Sequence, residues 1–107
     1  MDLDTIIQKL SEPEKLNDPR EINTLQAYLN GHITEMEDDA WGRQLVASNK
    51  LAELNETNTA AKAKVLWEVS NEFRLWKGLE KTLKQLKRYR SDLKDRMNLL
   101  SGQPRRY

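Results

Sequence analysis

A chain of 107 residues with 18 basic side chains, 17 acidic ones and one histidine carries a net charge of +1, and 33% of it is charged. Four glycines, three prolines and 37% hydrophobic content suit a long-helix protein, while the absence of cysteine excludes disulfides and thiolate metal sites. No apolar run nears the ~18 residues of a membrane span, and the Met-Asp-Leu-Asp-Thr start lacks the basic opening of a secretory signal, so a soluble, cytoplasmic protein without a membrane partner is expected.

The first predicted element is a short helical segment over residues 2–17. Asp2 or Asp4 caps its start, and Leu3, Ile6, Ile7 and Leu10 share its apolar side. Ser11-Glu12-Pro13-Glu14 interrupts it, and Asn17-Asp18-Pro19 then places an N-cap and a first-turn proline at the head of the next helix. That second helix is predicted over residues 19–54. Its apolar row is Ile22, Leu25, Leu29, Ile33, Met36, Ala40, Ala47, Leu51 and Leu54, with a period close to 3.6. Gly31 and Gly42 each weaken it by about 1 kcal/mol relative to alanine, and a bend is expected near Gly42.

Asn55-Glu56-Thr57-Asn58-Thr59 reads as a turn, with Thr57 or Thr59 capping a third helix predicted over residues 59–100. Along it Val65, Val69, Trp76, Leu79, Leu83, Leu86, Leu93, Met97 and Leu100 recur at heptad spacing, the seam of a helix that lies against another helix. Ser101-Gly102-Gln103-Pro104 stops it and leaves residues 101–107 as a tail. A short loop makes the two long helices antiparallel neighbours. The predicted fold is therefore all-α, one domain over residues 1–107: a long antiparallel helical hairpin with a short N-terminal helix, its coiled-coil-like packing completed by self-association. A reversal near residue 57 sets residues equidistant from it side by side, so that Glu53 answers Lys62, Arg43 answers Glu72 and Glu21 reaches Arg90.

Charge is polarised along the chain. Residues 1–57 hold twelve acidic and five basic side chains, and residues 74–107 hold eleven basic and three acidic ones. Such asymmetry marks a nucleic-acid partner or two halves that answer each other. In the first reading Lys84, Lys87, Arg88, Arg90, Lys94, Arg105 and Arg106 contact phosphates, with Tyr89 and Tyr107 available to stack on bases. In the second they form a solvated face beside Glu12, Glu14, Asp18 and Glu21; a pI near 7.9 is below the value of about 9 typical of nucleic-acid-binding domains.

The acidic cluster Glu35, Glu37, Asp38 and Asp39, with His32 on the same helix, invites a metal. A bundle site needs two Glu-x-x-His motifs and further glutamates, and a single histidine cannot supply them, so no metal or cofactor is predicted. Arg74 and Lys77 would instead face the cluster in the predicted register. Trp76 sits in the seam, whereas Trp67, Leu66 and Phe73 lie beside it and Trp41 opposes them. These four widen the apolar surface beyond what two helices cover and are the candidate protein interface. No glycine-rich phosphate loop, activated nucleophile or paired carboxylate frame occurs, so no enzymatic activity is expected.

The stretch 67–86, with Trp76-Lys77-Gly78-Leu79-Glu80-Lys81-Thr82-Leu83-Lys84 at its centre, resembles the C-terminal helix of small early-region proteins of tailed bacteriophages. The likeness is confined to the C-terminal third and transfers no functional residue; it implies a helical accessory protein acting in the host cytoplasm. The function expected is non-enzymatic: a protein–protein interaction or assembly protein working as a helical homo-oligomer, its partners another copy and an unidentified protein. The alternative is a nucleic-acid-binding accessory protein using the basic C-terminal helix. A third reading is a small inhibitor whose acidic second helix enters a basic cleft.

Overall fold

The computed structural model describes residues 1–102, so Arg105 and Arg106 lie outside the described residues. Among the described residues every regular element is helical: α1 (Leu3–Leu10), a 3-10 turn (Pro13–Lys15), α2 (Pro19–Thr57), α3 (Ala60–Glu68) and α4 (Asn71–Leu100). The boundaries follow local chemistry. Asp2 caps α1 by accepting the Thr5 N–H at 2.8 Å. Asp18 does the same for α2, taking the Arg20 N–H at 3.0 Å, with Pro19 in the first turn where its missing donor costs nothing. Asn58 closes α2 by donating its side-chain amide to the Leu54 carbonyl, and Thr59 opens α3 by accepting the Lys62 N–H at 3.3 Å. At the end of α4, Gly102 takes a positive φ of 70°, the left-handed turn that glycine enters without a Cβ clash.

The stretch expected as one helix over residues 59–100 is two. Ser70 separates α3 from α4: its hydroxyl donates to the Trp67 carbonyl at 2.6 Å and accepts the Phe73 N–H at 3.3 Å. One side chain thus satisfies a carbonyl ending one helix and an N–H starting the next, and Glu72 adds a negative charge beside the new N-terminus. Helix α2, by contrast, runs unbroken through Gly31 and Gly42 and ends three residues beyond the expected 54.

Two compact units divide the chain, Met1–Thr34 with the segment from Lys84 on, and Glu35–Leu83. In the first unit, α1 and the opening part of α2 pack with the second part of α4. Ile6, Leu16, Ile22, Leu25, Leu29, Ile33, Leu86 and Leu93 are buried there. Polar contacts tie the same segments: Lys9 to Glu21 at 2.8 Å, the Arg96 guanidinium to the Leu16 carbonyl at 3.0 Å and to Asn17 Oδ1 at 2.7 Å, and His32 Nε2 within 3.2 Å of the Met1 carbonyl. Arg90 lies 3.5 Å from Asn30 while Arg96 meets Asn17, so partner numbers fall as α4 advances: the two helices run antiparallel.

The second unit is a helical hairpin. Its buried residues are Ala40, Ala47, Ala63 and Leu83. Trp67 Nε1 donates to the Ala47 carbonyl at 2.8 Å, two residues equidistant from 57, as the expected reversal requires. The ion pairs drawn from that register do not form. Glu53 lies 3.9 Å from Lys50 and Lys77 3.5 Å from Glu80, each one turn along its own helix, and Glu21 is taken by Lys9. All of these pairs involve largely exposed side chains, where an ion pair gains so little that its choice of partner is settled by small local differences.

Candidate interaction surfaces

Breaking the third helix at Ser70 changes which residues face inward. Val65 and Val69, expected in the seam, are 64% and 57% exposed. Trp67, expected beside the seam, turns in: it is half-buried, bonded to the Ala47 carbonyl, and its ring lies 4.7 Å from Phe73 and 6.1 Å from Trp76. Phe73 and Trp76 complete the cluster edge to face at 5.9 Å, and Lys77 Nζ sits 4.0 Å above the Trp76 ring. The indole N–H explains the choice, since a tryptophan packed against a helix needs an acceptor and valine offers no such tie.

Of the four candidate interface residues, Trp41 is therefore the most open, at 62%; Leu66 is exposed, while Trp67 and Phe73 are half-buried in the aromatic cluster. Other apolar side chains of the same unit join Trp41 at the surface: Leu45, Val46, Val65, Val69 and Leu75 are all exposed. Trp41 and Leu45 stand four residues apart on α2, as do Val65 and Val69 across the end of α3, so each pair covers one strip. Beside the Trp41 strip runs an open groove of about 520 Å³ lined by Asp38, Asp39, Gly42, Arg43, Val46 and Leu79. Neither the two aspartates nor Arg43 forms an ion pair among the described residues.

The basic candidates separate as well. Lys87, Arg90 and Lys94 line a second open groove of about 520 Å³, in the first unit, together with Gln26, Asn30 and Ser91. Lys84 and Arg88 are exposed but do not line it. Gln26 and Asn30 come from α2 and had no signal in the sequence, being neutral residues in the acidic half. No group of three or more His, Asp or Glu side chains able to hold a metal occurs among the described residues, and none of the described helices is long and apolar enough to cross a membrane.

Compared with known proteins, the chain matches no family model, no curated protein and no solved structure. None of these comparisons links the chain to tailed-phage proteins.

Proposed function

We propose that this is a non-enzymatic assembly protein that works as a helical homo-oligomer, joined through the hairpin of residues 35–83. The observation that carries this reading is the placement of apolar surface. The hairpin's buried residues are three alanines and one leucine, while Trp41, Leu45, Val46, Val65, Leu66, Val69 and Leu75 face water. Exposed apolar residues scattered singly are ordinary, but paired strips with a tryptophan anchor are what interfaces use.

The groove beside Trp41 supports a second copy as occupant. It carries both signs of charge, Asp38 and Asp39 near Arg43, with Val46 and Leu79 in the same lining. In a two-fold contact the aspartates of one copy meet the arginine of the other, twice, so the surface complements itself. Gly42 leaves the α2 backbone uncovered there, with nothing within 4 Å of where a Cβ would stand, which lets another helix approach closely in coiled-coil-like packing. An accessory role of the kind the phage likeness implies needs no chemistry beyond such an assembly, and the same surface can receive a different protein.

Sedimentation velocity tests the reading. The expected result is a dimer or small bundle at tens of micromolar, with Arg43→Asp and Asp39→Arg each shifting the protein to monomer and an equimolar mixture of the two restoring the dimer. A strict monomer for the unaltered chain at that concentration refutes self-association.

A further inference from the structure

The groove of the first unit has a different chemistry from the hairpin surface. Its lining is three cations, Lys87, Arg90 and Lys94, and three neutral hydrogen-bonding side chains, Gln26, Asn30 and Ser91; no carboxylate and no large apolar residue takes part. On α4 the spacing of three, four and seven residues sets Lys87, Arg90, Ser91 and Lys94 along one face. On α2 the spacing of four sets Gln26 and Asn30 along another, and Arg90 meets Asn30 at 3.5 Å across the groove. That contact engages one of the five guanidinium N–H donors.

We infer that this groove binds the sugar–phosphate backbone of a nucleic acid, the cations on phosphates and the amide side chains and Ser91 supplying neutral hydrogen bonds to phosphate and sugar oxygens. The linear arrangement selects a polymer of phosphates over a single anion. Lys87 and Lys94 are about 10 Å apart along the helix axis at 1.5 Å per residue, the distance that about three steps of a duplex strand cover at ~3.4 Å each. Half or more of the hydrogen bonds in protein–DNA contacts go to phosphate and sugar from these residue types. An anionic membrane is the poorer fit, because a groove without apolar lining has nothing to insert below the headgroups. The site is independent of the hairpin surface, so a monomeric protein would leave it intact.

Fluorescence anisotropy of the full chain, titrated into labelled oligothymidylate and into a labelled duplex of random sequence at low salt, tests it. Binding to at least one probe is expected, with log K falling against log salt at a slope of about −2 on the single strand or about −3 on the duplex, the values for roughly three neutralised phosphates. Lys87→Ala, Arg90→Ala and Lys94→Ala together should weaken binding at least ~tenfold and remove most of that slope. Alanine suits an exposed helix position, and circular dichroism checks that helicity is kept. Lys81→Ala, Lys84→Ala and Arg88→Ala together remove the same charge from outside the groove and should change affinity by less than about threefold. Gln26→Ala with Asn30→Ala should weaken binding about threefold and leave the slope unchanged, a signature that diffuse charge does not produce. The inference is overturned if neither probe binds at low salt, or if the control triple variant loses as much affinity as the groove variant. It is equally overturned if phosphatidylserine vesicles take up the protein through the three groove cations while both oligonucleotides are ignored.

Discussion

The two units bury different things. Where α1, α2 and α4 come together, in residues 1–34 and from Lys84 on, seven large aliphatic side chains are sealed almost completely from water: Ile6, Ile22, Leu25, Leu29, Ile33, Leu86 and Leu93. In the hairpin of residues 35–83 the only fully sealed side chains among the described residues are Ala47 and Ala63; Leu83 is buried, and the other large apolar groups are half-buried or stand outside. Burial of a leucine or isoleucine contributes about 1.5–3 kcal/mol and burial of an alanine methyl far less. The first unit therefore holds most of the stability, and the second holds most of the apolar surface available to a partner. A short third segment, α1, is the cause: it supplies the covering that two helices lack.

Mutation can break this contrast. Leu29→Ala should cost about 2–5 kcal/mol in urea or thermal unfolding, since it empties a fully sealed site. Leu45→Ala, on the open face of the same helix, should stay within about 0.5 kcal/mol when measured at concentrations where the chain is monomeric. Equal losses at the two positions would abolish the distinction between the units. The reverse change sharpens it: Ala63→Leu adds three carbons at a site already sealed from water, and should destabilise by about 1–3 kcal/mol through overpacking. A neutral or stabilising result would mean that the hairpin is loosely packed.

The smallest effect concerns the covering segment. The Thr5 side chain and then its backbone N–H hydrogen-bond the Asp2 carboxylate and hold its pKa below the ordinary 3.8. The folded state thus takes up the proton less readily than the unfolded chain. The cap's contribution is complete above the unfolded value and is lost as pH falls through the lowered folded one. As the pH is lowered through the carboxylate range, the protection factors of amides in the first turn of α1 (intrinsic rate at that pH over observed rate) should fall, and Asp2→Asn, which still caps, should flatten that dependence.

Much of the fold was legible because its boundaries are written in local chemistry. Asp2, Asp18 with Pro19, Thr59 and Gly102 each act on their own neighbours, and each stands where the sequence places a start or stop. The break at Ser70 escaped because serine punctuates only when its hydroxyl is recruited by flanking backbone, and an uninterrupted seam of Val, Trp and Leu argued the other way. The signal was there in Ser70 followed by Glu72, a cap and an acid in the first turn. Missing it moved Val65 and Val69 from surface to seam and Trp67 from seam to flank. Of the basic candidates, charge alone picked out Lys87, Arg90 and Lys94 but could not separate them from Lys84 and Arg88. Nor could it find Gln26 and Asn30, which reach the groove only because α2 and α4 run side by side in opposite directions.

The serine that divides α3 from α4 also sets how the hairpin breathes. A helix of nine residues, closed by Thr59 at one end and Ser70 at the other, is shorter than the ~12–15 residues at which helices begin to persist unaided in water. Its ladder of backbone bonds lasts only while α2 holds Ala63 and Trp67 in place, so the whole of α3 can be released and recaptured as one piece without unwinding α4. Deuterium uptake by those nine residues is thereby a built-in gauge of how firmly the hairpin is clasped.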